Sequence, residues 1–308
     1  MVVANTILDI VGMTPMVRLN RITKELGREL LVKLEFLNPG GSLKDRIARY
    51  MVQEAERSGQ LSKGSVIVEA TTGNTGVAFA MVAAVKGYRM IVVMPEGMSE
   101  ERKKTIRAYG AELIFTPGGE SDVNLCLKKV DELRTTVPNV WVPSQFTNLD
   151  NVRAHEESTA KEILDQTGRR FEGFVAGVGT GGTLTGVARV IKKEIPRVKI
   201  AAVEPAECAV LSGGKKGKHR IEGIGDGFVP EILDMSFVDE IMRVRDEEAI
   251  EMARRLAREE GIFAGISSGA NVKAALDLAK SLPKGSRIVT LIADTGMRYF
   301  STDLCRSD

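Results

Sequence analysis

Cysteine is scarce in this 308-residue chain: Cys126, Cys208 and Cys305 lie far apart and in no C-x-x-C pattern. An odd, scattered set suggests neither a disulfide framework nor a zinc site, so the thiols read as reduced. Histidine is scarcer still. His155 and His219 are the only two, and "HEEST" at His155 is not H-E-x-x-H, so no metal site is expected and a His-based triad is disfavoured. An excess of either charge is also missing: 43 Lys and Arg stand against 41 Asp and Glu, interspersed, for a net charge of +2. That balance leaves no footprint for nucleic acid or a membrane surface. No run is long and apolar enough to span a bilayer, and "MVVANTILDIVG" lacks the pattern of a secretory signal. A cytoplasmic globular protein of one large or two medium domains is the expectation.

What the chain does contain is alternation. "LLVKLEFL", "SVIVEA", "MIVVMPE", "ELIFTP", "VWVPSQF", "FVAGVG", "KIAAVEP" and "RIVTLIAD" read as strands. Between them, stretches such as "ARYMVQEAERSG", "GVAFAMVAAVKG", "NVRAHEESTAKEILDQTG" and "DEEAIEMARRLAREEG" read as helices, several closed by glycine. Repeated strand and helix predict an α/β protein with mainly parallel sheets buried between helices. The Pro-bearing "VPSQFTNLDN", residues 142–151, is where the chain would pass between two α/β units and leave a ligand cleft.

In parallel sheets, ligands bind beyond the carboxyl ends of strands, where helix N-termini point. Three such turns stand out. In "EATTGNTGVAFAM", Thr71, Thr72, Asn74 and Thr75 sit among glycines before an apolar helix. An N-cap needs one such residue, whereas four offer several donors to a carboxylate. In "FVAGVGTGGTLTGVARV", Gly177, Gly179 and Gly182 satisfy G-x-G-x-x-G, with Glu204 ending the next strand, as in a dinucleotide site. Thr180, Gly181 and Thr183 add small donors that suit a terminal phosphate at least as well. In "GIFAGISSGANVKAAL", Ser267 and Ser268 precede another helix, which alone signifies only a cap.

One further stretch is electrostatically odd. In "NPGGSLKDR", residues 38–46, Gly40 and Gly41 make a turn, Ser42 is placed to cap a helix, and Asp45 gives a weak capping box. Lys44 then falls in a first turn that favours acids. Read blandly, it is a solvated surface lysine. Read sharply, the helix terminus and Arg46 lower its pKa and free its amine for Schiff-base chemistry. An amine, a carboxylate cradle, a phosphate cup and a serine hydroxyl together form the set that pyridoxal phosphate chemistry on an amino acid requires.

With these motifs in order, from "VGMTPMVRLN" through "GGSLKDR", "TTGNTG", "GVGTGGTLTG", "EGIGDGFVP" and "GISSGA" to "MRYFSTDL", the chain resembles the cysteine synthase (O-acetylserine sulfhydrylase) and cystathionine β-synthase family. The resemblance implies the tryptophan-synthase β-subunit-like architecture of fold type II pyridoxal phosphate enzymes. That means two three-layer α/β domains, with residues 38–148 forming a smaller mobile domain and 1–37 with 149–308 a larger phosphate-binding one. The active site would lie in the interdomain cleft.

By the same resemblance, Lys44 holds the cofactor as an imine and later acts as the general base. Asn74 faces the ring hydroxyl, Gly179, Thr180, Gly181, Gly182 and Thr183 hold the phosphate, and Ser267 faces the pyridine nitrogen. Thr71, Thr72, Thr75 and Gln145 grip the substrate carboxylate, while the loop 222–228, Gly225 included, lines the mouth. The implied reaction is β-replacement through an α-aminoacrylate, giving L-cysteine from O-acetyl-L-serine and hydrogen sulfide. A homodimer and a docking serine acetyltransferase tail are family-level expectations.

The two glycines of "NPGGSLKDR" look closer to cystathionine β-synthases, which keeps homocysteine as an alternative nucleophile. Arg298 and the basic loop 215–220 keep O-phosphoserine as an alternative donor. A catalytically silent cofactor-binding partner protein is the competing class, and a dehydrogenase resting on the one fingerprint stands far behind it.

Overall fold

The computed structural model describes residues 3–306. Its elements in chain order are β1 (Met16–Arg18), β2 (Glu29–Leu34), α1 (Lys44–Arg57), β3 (Val66–Ala70), α2 (Asn74–Lys86), β4 (Arg89–Pro95), α3 (Glu100–Ala108), β5 (Glu112–Thr116), α4 (Val123–Thr136) and β6 (Val140–Trp141). Then follow α5 (Asp150–Ala154), a π turn (His155–Thr159), α6 (Ala160–Thr167), β7 (Gly173–Gly177), α7 (Gly182–Glu194), β8 (Lys199–Pro205), β9 (Glu240–Val244), α8 (Asp246–Glu260), α9 (Ile266–Ser281) and β10 (Arg287–Ile292).

Two sheets result. One runs β5-β4-β3-β6 and is wholly parallel; the other runs β1-β2-β10-β7-β8-β9 and is parallel except for the β1–β2 pair. Alternating residues of each central strand face opposite helical layers, the pattern of a sheet covered on both sides. Ile67, Val92 and Met94 pack with Ile47 and Met51 of α1, Val77 of α2 and Ile106 of α3, whereas Val66, Val68, Ile91 and Val93 meet Val123, Cys126 and Val130 of α4. Likewise Val175 and Val203 face α8 and α9, and Phe174 and Ile200 face α6 and α7. The expected α/β architecture with mainly parallel sheets is therefore present.

Local expectations fared unevenly. The strand foreseen in "VWVPSQF" shrinks to Val140–Trp141, and the end of "LLVKLEFL" turns into a short 3-10 segment, Glu35–Leu37. Edge strands β1 and β9 carry no clean alternation, being largely exposed or half-buried, and give no strand signal.

Strand order reverses beside β3, which has β4 on one side and β6 on the other, and beside β7, between β8 and β10. Such switch points open crevices at the carboxyl ends of strands. The start of α1 is tied to the second crevice: Leu43 N–H donates to Ala293 O at 2.9 Å and Thr295 N–H to Gly41 O at 3.1 Å, just past β10. Gly41 has φ +82°, which only glycine adopts without strain, and Arg298 Nη2 would lie 3.2 Å from any Cβ there. Ser42 Oγ accepts from Lys44 N–H as expected of a cap, but Asp45 reaches further back than a capping box, to Gly40 N–H at 2.5 Å.

Behind this turn lies a buried ion cluster. Arg46 donates to Glu35 at 2.6 Å and to Glu162 at 2.7 Å, and Lys33 meets Glu162 at 2.7 Å. Burial opposes the charge on Glu162, yet Arg46 and Lys33 outweigh it and hold the carboxyl at about 2. Removing one partner of such a cluster strands the others without compensation. Arg46→Leu is expected to cost about 3–5 kcal/mol in denaturant unfolding, against less than about 1 kcal/mol for Arg89→Ala in the exposed pair with Glu112. Equal losses would contradict this account of α1.

Candidate active site

Lys44 opens α1 half-buried, and its Nζ has no hydrogen-bond or ion-pair partner among the described residues. Burial draws its pKa below the ordinary lysine value, opposed by the carboxylates of Asp226, Asp294 and Glu120. Arg46, expected from the sequence to lower it, is turned away into the cluster with Glu35 and Glu162. The sequence expectation about the direction holds, but its cause is desolvation.

Two adjoining cavities share Lys44, Asn74, Gly179, Thr180 and Gly223. The larger, open to solvent, has about 510 Å³ of unfilled space and is lined also by Gly181, Thr183, Ile224, Ser267 and Asn271. At its floor the loop after β7 leads into α7. No described residue accepts from the amides of Gly179, Thr180 or Gly181, and the first-turn amides of α7 lack intrahelical acceptors by construction. The loop owes its shape to close packing. A Cβ on Gly181, at φ +82°, would come 2.7 Å from Leu233 Cβ, and one on Gly182 2.1 Å from Asn151 Oδ1. His155 supports the cup from below, its Nδ1 paired with Thr159 Oγ1 at 2.9 Å and its Nε2 with Thr183 Oγ1 at 3.1 Å. Burial holds His155 well below its usual pKa, so it stays neutral.

Asn74 and Ser267 both line this cavity, with Asn74 Nδ2 and Ser267 Oγ each within 4 Å of where a Cβ on Gly223 would lie. Asn74 Oδ1 accepts from Arg102 Nε at 3.2 Å and from Arg298 Nη1, and its Nδ2 donates to Asp294 Oδ2 at 2.7 Å. One Nδ2 hydrogen remains for a ligand. Ser267 Oγ has no partner among the described residues, and α9 is held against β7 by Asn271, which accepts from Gly177 N–H at 2.7 Å.

The smaller cavity, about 300 Å³, is lined by Thr71, Thr72, Thr75, Gln145, Phe146 and Asp226. Gln145 is locked in place: its Oε1 accepts from Thr75 Oγ1 at 2.7 Å and its Nε2 donates to Ala70 O at 2.8 Å. Asn151 ties the two cavities together, donating to Gln145 O at 2.9 Å and to Thr180 Oγ1 at 3.0 Å.

The structure thus brings Lys44, Asn74, Gly179, Thr180, Gly181, Thr183 and Ser267 to one cavity and Thr71, Thr72, Thr75 and Gln145 to the other. Gly182 faces Asn151 and lines neither, and Gly225 faces Pro205 and His219 while its neighbours Ile224 and Asp226 reach the cavities. Sequence reasoning missed Asp226, Glu120, Arg102, Asp294 and Asn271. Among the described residues no cluster of His, Cys, Asp or Glu is arranged to hold a metal ion.

The donor set fits pyridoxal phosphate: open amides for a phosphate, an unpartnered hydroxyl and amide hydrogen for a ring, and an unpartnered amine between them. Parallel sheets meeting at such a site define a pyridoxal phosphate enzyme of fold type II. A profile described as pyridoxal-phosphate dependent enzyme matches residues 7–294. A cysteine synthase of Staphylococcus aureus (strain N315) is 47% identical over 305 residues, 99% of this chain and 98% of that protein. Among solved structures, a hydrogen sulfide-producing enzyme from Fusobacterium nucleatum matches with a TM-score of 0.93 at 45% identity, over 96% of this chain and 100% of that one. An O-acetylserine dependent cystathionine β-synthase from Helicobacter pylori matches with a TM-score of 0.95 at 38% identity, over 99% of both chains. The chain belongs to the cysteine synthase and cystathionine β-synthase family of pyridoxal-phosphate dependent enzymes.

If the cup depends on the close approach at Gly181, then Gly181→Ala will weaken binding of pyridoxal phosphate by about tenfold or more, or 1.4 kcal/mol, in an absorbance titration. An unchanged dissociation constant would show that the loop tolerates a side chain there.

Proposed function

We propose that the protein makes L-cysteine by β-replacement on O-acetyl-L-serine with hydrogen sulfide. The observation that carries this reading is the unpartnered amine of Lys44 in both adjoining cavities, one lined by the glycine-rich loop before α7 and the other by Thr71, Thr72, Thr75 and Gln145. When bound, pyridoxal phosphate supplies the electron sink for charge at the substrate's Cα. Lys44 carries the cofactor and, once released, takes the Cα proton; its lowered pKa suits a general base. The amides of Gly179, Thr180 and Gly181, the first turn of α7 beginning at Gly182, and Thr183 hold the phosphate, as helix N-termini do. Asn74 and Ser267 orient the ring. Thr71, Thr72, Thr75 and Gln145 hold the substrate carboxylate in the smaller cavity, with the loop 222–228 as its wall.

Residues 38–148 form the smaller domain in this reading, carrying the amine and the carboxylate loop, and its closure over residues 1–37 and 149–308 excludes water. A homodimer fits the exposed apolar side chains of Ile7, Ile10 and Met13. No helix among the described residues is long and apolar enough to cross a membrane.

The Helicobacter pylori relative favours a second reading, with homocysteine as nucleophile. O-Phosphoserine gains less support. Arg298 is buried and engaged with Gly40 O and Asn74, Lys216 pairs with Asp122, and Arg220 pairs with Asp246, Glu247 and Asp303. An intact amine and cradle argue against a silent partner protein.

Supplied with O-acetylserine, the holoenzyme is expected to consume sulfide with a kcat/KM at least about tenfold above that for homocysteine, a difference of 1.4 kcal/mol. The reverse order establishes the second reading, and no product from either nucleophile overturns both. Gln145→Ala should raise the KM for O-acetylserine by about tenfold or more, since a hydrogen bond to a charged group contributes about 1.5–3 kcal/mol. An unchanged KM would place the carboxylate elsewhere.

A further inference from the structure

One buried acid has no part in the account above. Glu69 is the only charged residue of β3, an inner strand whose five residues are all buried, and it is itself 1% exposed. A carboxyl taken this far from water is costly unless hydrogen bonds meet it. Its Oε1 accepts from Ala70 N–H at 3.0 Å, and its Oε2 is buried with no partner of good geometry among the described residues. Burial pushes the carboxyl up to about 8, and the groups that draw it back down are the backbone amides of Ala70, Gln145 and Ser144, then the Arg134 guanidinium.

Two of those amides belong to the segment that carries Gln145. β3 pairs with β6 only at Val66–Val140 and Ile67–Trp141. Carried on, that register would set Glu69 opposite Pro143, which has no N–H to offer. The ladder stops there and the chain turns. Ser144 takes φ +58°, uncommon for a residue with a side chain. Its carbonyl accepts from Thr147 and Asn148 N–H at 3.0 and 2.9 Å, yet no described backbone carbonyl accepts from the amides of Ser144 or Gln145. Arg134 holds the outer side of the turn, Nη2 donating to Ser144 Oγ at 3.1 Å. Glu69 lines a separate cavity with Arg134, Ser144 and Phe146 and not the smaller active-site cavity, which Gln145 and Phe146 wall.

We propose that Glu69 is a positioning residue for substrate binding: its carboxyl stands in for the missing ladder partner of the Ser144 and Gln145 amides, holds the left-handed turn at Ser144, and so aims the Gln145 side chain at the substrate carboxylate. This rests on the β-replacement reading, in which Gln145 belongs to the carboxylate cradle. Gln145 is then fixed twice from the end of one strand, its backbone by Glu69 and its Nε2 by Ala70 O, which leaves one Nε2 hydrogen for the substrate. Without the carboxyl, two amides in a buried turn lose their acceptor, and the turn must shift to find another. Displacing a binding group by about 1 Å is enough to cost up to about 100-fold.

The test is a double-mutant cycle on the holoenzyme: wild type, Glu69→Leu, Gln145→Ala and the double variant, each measured for kcat and KM with O-acetylserine and sulfide and for the dissociation constant of pyridoxal phosphate. Glu69→Leu, which fills the site without an acceptor, is expected to raise the KM for O-acetylserine about tenfold, with kcat and cofactor affinity within about twofold of wild type. In the Gln145→Ala background the same substitution should raise KM by less than about twofold, because residues that act through one another are not additive. Glu69→Gln, which keeps the shape and one acceptor oxygen, should fall between wild type and Glu69→Leu, and it decides the matter if Glu69→Leu does not load cofactor. An unchanged KM in the Glu69 variants, or the full rise repeated in the Gln145→Ala background, overturns the proposal. An unchanged KM in Gln145→Ala, or no turnover of O-acetylserine by wild type, would instead sink the parent reading.

Discussion

Two backbone hydrogen bonds, from Leu43 to Ala293 and from Thr295 to Gly41, are what the site depends on. They seat the turn before α1 on the chain just beyond β10, some 250 residues later, and so deliver Lys44 to the crevice where strand order reverses beside β7. The first turn of α1 has no choice of direction after that. Asp45 closes back on Gly40 and Arg46 is drawn into the cluster with Glu35 and Glu162, which leaves the amine of Lys44 as the group that faces the cavities. Position and reactivity share this origin, because the burial imposed by the docking is also what lowers the lysine's pKa.

Charge is kept largely out of the cavity linings and concentrated just behind them. Arg102, Arg298, Asp294 and Tyr299 surround Asn74, with Arg102 stacked over the Tyr299 ring at 4.5 Å and Tyr299 donating to Asp294 at 2.7 Å. What reaches the cavities is mostly neutral: amides, hydroxyls and carboxamides. Lys44 and Asp226 are the exceptions, and both line the smaller cavity. A preorganised neutral cradle with few buried charges suits a reaction in which charge develops on the cofactor and must be held without competing ions.

Much of this was legible because it is written in short turns. Glycines crowded with threonines after an apolar run announce a backbone that comes close to an anion, and the loops of Thr71–Thr75 and Gly179–Thr183 need only local geometry to do so. The parallel α/β architecture followed for the same reason, from strand and helix periods repeated along the chain. What stayed hidden depends on contacts between distant segments. Arg102 meets Asp294 across 192 positions and Arg298 meets Gly40 across 258, spans over which no periodicity speaks. Gly225 shows the limit from the other side: the stretch was recognised, yet which glycine faces the cavity depends on Pro205 and His219 packing against it. Edge strands β1 and β9 escaped because an exposed edge imposes no alternation.

The central claim is that the amine of Lys44 carries the cofactor. Borohydride reduction of the purified holoenzyme, followed by peptide mass spectrometry, tests it most directly. The account predicts a single phosphopyridoxyl mass on the peptide that contains Lys44. Label on a different lysine, or a cofactor released intact with no peptide modified, would contradict it.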